Sequence, residues 1–271
     1  MCENAWAVYW SVHGFAMSVL ILAFSVAATI PINAASSGWT KEFVRITQEL
    51  GTYGKTSLPG SLSLKLPKTY FTHFYVVGVS VNLALLLTST EKSTIWLLSL
   101  YQVHVARRLY ESLWVSRSSS SAKIHLAHYV LGVSYYVSTP LTLVCVSDGD
   151  HIEGGALSWL FGFLFLFANW VQHECHCFLA NLRPPSSKNT HEAYYIPRGR
   201  WFKMVSCPHY ASEIVIYVCL AALSRGSLPL LIQVTFVMFE LGFASWTQHQ
   251  WYLRQFDDYP KERYAMLPGI F

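Results

Sequence analysis

The apolar positions of the chain gather into seven long runs separated by polar links, and within each run they are continuous rather than striped. A segment apolar on every face for about 20 residues is the pattern of a helix surrounded by lipid or by other helices. The runs cover Ala5 to Ile30, about Tyr70 to Leu87, Ile95 to Val115, Ile124 to Val146, Leu157 to Cys177, Tyr210 to Leu223 and Leu228 to Gln250. They predict an all-α integral membrane protein with about seven transmembrane helices, built as one membrane-embedded domain over residues 1–271. The first run is longer than the core of a secretory leader and has no basic flank, so we expect a permanent helix there.

Composition agrees with this pattern: 53% of residues are hydrophobic and 13% charged, against about 25% charged in soluble domains. The cysteines Cys2, Cys145, Cys175, Cys177, Cys207 and Cys219 are scattered in or beside apolar runs, without the loop spacing of a disulfide framework. They read as small apolar fillers. The net charge of +4 forms no basic stripe interleaved with aromatics, which argues against a nucleic-acid partner.

Charge distribution is more informative. With seven crossings, Lys41, Arg45, Lys55, Lys65, Lys68, Arg117, Lys123, Arg183, Lys188, Arg198, Arg200 and Lys203 all fall in loops on one side, while the opposite side holds Asp148, Asp150 and Glu153. The positive-inside rule makes the basic side cytosolic. The polar residues that interrupt apolar runs collect at that same side: His104, Arg107, Arg108 and Glu111, then Gln172 to Cys177, then His209 and Glu213, then His249, Tyr252 and Arg254. Ionisable groups at membrane depth are expensive and mark function.

Several chemistries suit these groups. Arg183, Tyr194, Tyr195, Arg198, Arg200 and Lys203 offer guanidinium forks and aromatic faces, suited to a phosphorylated dinucleotide or to lipid headgroups. No GxGxxG follows a strand, which excludes a Rossmann site. His209 and Glu213 share one helix face at i,i+4, with Pro208 at the first turn, as a ligand contact or a brace between helices. His249 and Tyr252 alone would pass for interfacial anchors. The run His173-Glu174-Cys175-His176-Cys177 is dense in metal ligands but is not HExxH, and we assign no metal to it. No two histidines are adjacent, which disfavours the His boxes of membrane di-iron oxidases.

The stretches WFKMVSCPHYASE (201–213) and DDYPKERYAMLPGIF (257–271) resemble the steroid 5-alpha-reductase family, most closely its polyprenol-reducing branch. The resemblance is closest over the last hundred residues or so, and implies that the part from about 172 to 271 mainly binds cofactor. It implies NADPH as cofactor, with Arg107, Gln172, His176, Arg183, Tyr194, Tyr195, His209, Glu213, His249, Tyr252 and Asp258 toward it. Gln48-Glu49-Leu50 resembles the segment whose Glu faces the substrate carbonyl in steroid-reducing members, and His104 stands where those members carry its Tyr partner. Glu49 and His104 are thus the catalytic candidates.

The implied activity is reduction of the α-isoprene double bond of a long-chain isoprenoid lipid, polyprenol or polyprenal, in dolichol synthesis for N-glycosylation. The implied location is the endoplasmic reticulum membrane, with the cofactor site facing the cytosol. Hydride addition needs an electron sink, which a conjugated carbonyl offers and an isolated allylic alcohol does not. The aldehyde is therefore the better substrate. The alternatives are a 3-oxo-delta-4 steroid, a trans-2-enoyl thioester or, in another class, an isoprenylcysteine-type methyltransferase using S-adenosylmethionine; the sequence names no protein partner.

Overall fold

The computed structural model describes residues 65–117, 122–147, 155–182 and 194–270. Within them lie six helices: α1 (Phe71–Thr88), α2 (Lys92–Tyr110), α3 (Leu126–Ser147), α4 (Ala156–Asn181), α5 (Pro208–Leu223) and α6 (Leu228–Gln255). They coincide with the second to seventh apolar runs. The first run, with Glu49, and the loop residue Arg183 lie outside the described residues. Three spans, Lys68–Thr88, Leu126–Val146 and Leu228–Gln255, are long and apolar enough to cross a bilayer, and α5 is a shorter apolar helix. The C-terminal turns of α2 and α4 instead carry Arg107 and Arg108, and His173, Glu174 and His176.

A short antiparallel pair, β1 (Lys65–Pro67) with β2 (Lys123–His125), brings the starts of α1 and α3 together, Leu66 opposite Ile124. The first and third loops therefore meet on one side, as alternating crossings require. Next to this pair, α1 and α3 approach closely. A Cβ on Gly132 would come within 2.6 Å of the Phe74 ring, and one on Gly78 within 2.8 Å of Tyr136. Small residues at helix contacts let backbones approach in a membrane, where apolar burial alone gives little drive to associate.

The core is built from α2, α3, α4, α5 and α6 around Leu97, Leu98, Leu143, Phe165, Ile216, Leu220 and Leu230. Between α5 and α6 the chain reverses through Arg225 and Gly226, both at positive φ (54° and 71°). This tight turn is what SRGS provides, and it keeps the two helices antiparallel neighbours. At the other end the tail folds back: Tyr264 N donates to Met204 O at 3.0 Å, and Ser206 N and Cys207 N donate to Tyr264 O and Ala265 O at 2.9 and 3.0 Å. Antiparallel packing thus puts the C-terminal ends of α2, α4 and α6, the N-terminal end of α5 and the tail at one mouth.

Candidate active site

The last turn of α2 runs into a π-helical turn, Glu111–Val115, and this change of pitch sits where the polar residues converge. Glu111 is fully buried, yet its carboxylate is surrounded by donors. Arg107 Nη1 donates to Oε1 at 2.6 Å, Arg108 Nη1 donates to Oε2, and His173 Nδ1 and His176 Nδ1 lie 2.9 and 2.7 Å from the two oxygens. Arg108 also donates to the Tyr75 hydroxyl of α1 at 2.6 Å, with its guanidinium 4.9 Å over that ring. A buried carboxylate is tolerated when paired in this way. His173 and His176, metal candidates by composition, are therefore occupied with Glu111.

A second layer lies one turn earlier on α2. Asn169 Oδ1 of α4 accepts from Arg107 Nε and Nη2 at 3.1 and 2.9 Å, and His104 Nδ1 lies 3.0 Å from the same oxygen. Arg107 Nη2 donates to Gln172 Oε1 at 2.5 Å. Gln172 Nε2 in turn donates to Glu213 Oε2 at 2.5 Å and to His209 O at 3.0 Å. His104 Nε2 faces Glu213 Oε1 at 3.4 Å. Two guanidiniums thus balance two carboxylates across α2, α4 and α5. Six of the predicted residues, His104, Arg107, Gln172, His176, His209 and Glu213, come together here, with the His176 and His209 ring centroids 5.5 Å apart.

The other predicted residues form a separate group at the mouth. His249 Nδ1 lies 2.7 Å from Ser206 Oγ, which lies 2.6 Å from the Tyr259 hydroxyl, and Tyr252 stacks on Tyr259 at 5.2 Å. Arg198 donates to Asp258 Oδ2 at 2.5 Å. Tyr194 meets Trp251 edge to face at 5.0 Å, while Tyr195 is half exposed. Arg200 is paired with Glu174. The run 206–209 links this group to the first, since Ser206 belongs to one and His209 to the other.

Sequence reading did not single out Tyr75, Asn169, Ser206 or Arg263. Arg263 is buried within the tail, its guanidinium 5.1 Å over the Tyr259 ring, with Nε and Nη1 unpaired among the described residues. Asn169, an amide inside the run SWLFGFLFLFANWV, carried a usable signal, because a polar group in an apolar helix asks for a partner. Arg263, within a tail dense in charge, carried none. Among the described residues no three His, Cys, Asp or Glu side chains are grouped to hold a metal.

Donors and acceptors so arranged suit a polar, phosphate-bearing ligand at the mouth and a reacting centre toward Glu213. Buried Arg263 nitrogens without partners among the described residues fit an anionic group.

Residues 133–271 match the family model described as 3-oxo-5-alpha-steroid 4-dehydrogenase. The whole chain is 31% identical to Polyprenal reductase 1 of Arabidopsis thaliana, covering 98% of that protein. Against Polyprenal reductase of Caenorhabditis elegans it is 32% identical, with 83% of this chain and 88% of that one covered. Against the Danio rerio protein of the same name it is 31% identical, with 93% and 96% covered.

Proposed function

Because the chain belongs to the 3-oxo-5-alpha-steroid 4-dehydrogenase family, whose members are oxidoreductases acting on carbon–carbon double bonds, we propose that it reduces the α-isoprene double bond of a polyprenal with NADPH, in dolichol synthesis. The observation that carries this reading is the linked set His104, Arg107, Gln172 and Glu213, which joins three helices in one buried polar layer at the end of an apolar core. Relatives named for polyprenal reduction over nearly the full chain support the substrate class.

In this reading Arg263, Arg183 and the tail hold the phosphates, Tyr194, Tyr195, Tyr252 and His249 line the nucleotide, and Asp258 fixes Arg198 as part of a cap. Gln172, His176, His209 and Glu213 position the nicotinamide end. NADPH supplies the hydride when bound, while the protein supplies orientation, exclusion of water and proton management. His104 and Glu49 address the carbonyl. The isoprenoid tail leaves laterally between helices into lipid, so no closed pocket is needed for its length. Seven crossings, with the site at the cytosolic face of the endoplasmic reticulum, agree with the basic loops meeting on one side.

Titration of NADPH, NADH and S-adenosylmethionine against detergent-purified protein tests the class, because a ligand of the folded state raises its melting temperature. NADPH-selective stabilisation with conversion of polyprenal to its saturated aldehyde is expected. Stabilisation by S-adenosylmethionine alone would move the chain to methyl transfer, and conversion of a steroid or enoyl thioester but not polyprenal would change the substrate.

A further inference from the structure

One helical turn beyond the His104–Glu213 contact, away from the mouth, Tyr101 follows on α2 and Tyr217 on α5. Both rings stand beside His104, with centroids 5.9 and 6.2 Å from the imidazole. Tyr135 of α3 joins them, its ring 5.9 Å from Tyr217. All three are buried, at 0%, 1% and 7% exposure for Tyr101, Tyr217 and Tyr135. None of the three hydroxyls completes a hydrogen bond of good geometry among the described residues, and His104 Nε2 reaches Glu213 Oε1 only at 3.4 Å. The Tyr217 and Thr139 hydroxyls lie near those of Tyr101 and Tyr135 without completing a bond of good geometry to them, and Thr139 gives its own proton to Tyr135 O at 2.9 Å.

Buried polar atoms are paired in nearly all native structures. Where packing alone decides, phenylalanine fills the same space without a hydroxyl to satisfy. Three phenol hydroxyls that converge from three helices beside His104 without a well-formed bond therefore point to a guest bearing oxygen. The surroundings define its chemistry: the Glu213 carboxylate disfavours a ligand that arrives already ionised, the phenols are neutral donors, and the side chains packed around them, such as Leu97, Leu98 and Leu220, are mainly apolar. From the mouth inward the lining passes from charged, through neutral polar, to apolar. A neutral carbonyl at the end of an apolar chain fits the middle layer.

We propose that Tyr101, Tyr135 and Tyr217, with His104 beside them, bind the carbonyl oxygen of the α,β-unsaturated aldehyde and hold the enolate oxygen formed during reduction. This rests on the reductase reading and adds the residues that read the oxygen. Hydride from the dihydronicotinamide forms a C–H bond at the β carbon. The alkene π pair moves to the bond between the α and carbonyl carbons, and the carbonyl π pair moves to oxygen, where the phenols donate hydrogen bonds. Collapse of the enolate restores C=O as the α carbon takes a proton that derives from solvent. The dinucleotide loses two electrons and the alkene gains them. An allylic alcohol in the same place has no carbonyl π bond to take up the electrons, so donors at its oxygen assist reduction of the aldehyde and not of the alcohol.

The test uses full-length protein in detergent with NADPH and farnesal, a short α,β-unsaturated prenyl aldehyde, comparing wild type with Tyr101→Phe, Tyr135→Phe and Tyr217→Phe. Loss of one oxyanion donor lowers kcat by about 10- to 100-fold for at least one variant, while NADPH affinity stays within about twofold, because the change acts on the transition state. The solvent deuterium effect on kcat changes in the same variant, which a packing role would not produce. Wild-type kcat in all three variants would overturn the proposal and leave the site to ordered water. Where a variant shows no NADPH-dependent melting shift, 3-fluorotyrosine at that position keeps the shape and acidifies the phenol. An unaltered pH profile of kcat for the fluorinated protein would then count against it. A wild-type protein that binds NADPH but reduces neither farnesal nor polyprenal would overturn the reductase reading, and the phenol proposal with it.

Discussion

His104 Nε2 on α2 and Glu213 Oε1 on α5 face each other at 3.4 Å, beyond the usual N–H···O range of about 2.7–3.2 Å. The other Glu213 oxygen is held by Gln172 at 2.5 Å. One oxygen is thus fixed to α4 while its neighbour faces the imidazole at longer reach, at the point where all three helices meet. In the proposed function its carboxylate meets the cofactor as well as bracing the helices.

Glu213→Gln keeps the shape and removes the charge, and it sets an amide against the Gln172 amide. NADPH affinity is expected to fall about tenfold, about 1.4 kcal/mol, within the range for a hydrogen bond to a charged group. The NADPH dependence of the melting temperature checks it. Affinity equal to wild type would take Glu213 out of the cofactor site.

Glu111 has a different task. Removing its carboxylate by Glu111→Ala leaves Arg107 and Arg108 without their shared counter-ion, and breaking a buried pair from one side costs about 3–5 kcal/mol. The variant is expected to be poorly folded or to melt well below wild type before any ligand is added. Normal melting with lost NADPH binding would instead make Glu111 part of the ligand contact.

The contrast between these two carboxylates shows what the sequence made legible. Apolar runs placed six helices to within a few residues, Tyr70 to Leu87 against Phe71–Thr88 for example, because in lipid the backbone must satisfy itself and length and hydropathy decide the element. His104, Arg107, Gln172, His209 and Glu213 were legible as polar interruptions. Pairings were not, since the bonds from Arg107 to Asn169 and from Ser206 to Tyr259 join residues far apart in the chain. Tyr101, Tyr135 and Tyr217 gave no signal, because a tyrosine in an apolar run reads as core or interface until its hydroxyl is seen to lack a partner.

Arg263 holds its place over Tyr259 with two nitrogens unpaired among the described residues. If they receive a cofactor phosphate, Arg263→Met preserves much of the packing and lowers NADPH affinity about 10- to 100-fold, a loss suited to a charge-assisted pair. Lysine at this position should rescue only part of it, because a single ammonium cannot present two nitrogens in a plane. Equal affinity in wild type, Arg263→Met and Arg263→Lys would assign the guanidinium to holding the tail.

Ser206 is the joint between the tail and the helices, sharing its hydroxyl with His249 and Tyr259. Ser206→Ala leaves both partners buried and unpaired, at a cost of about 1–3 kcal/mol. With the tail capping the cofactor site, as proposed above, the loss is expected in NADPH affinity and in faster protease cleavage after Lys261 or Arg263, with bound NADPH restoring protection. Protease resistance equal to wild type would show that the backbone bonds from Ser206, Cys207 and Tyr264 hold the tail unaided.

Glu49 lies outside the described residues, so its role rests on resemblance and on the chemistry of the carbonyl. Glu49→Gln is expected to spare NADPH binding and lower turnover by about 10- to 100-fold, as removal of a group acting only in the transition state does. If Glu49 and Tyr217 address the same oxygen, the two losses cannot be independent. The double variant Glu49→Gln/Tyr217→Phe should then lose less than the product of the single effects, since residues acting on one centre couple while distant ones add. Multiplicative losses would place the carboxyl and the phenol on different atoms of the substrate, with Glu49 delivering the proton to carbon and the phenols holding the oxygen.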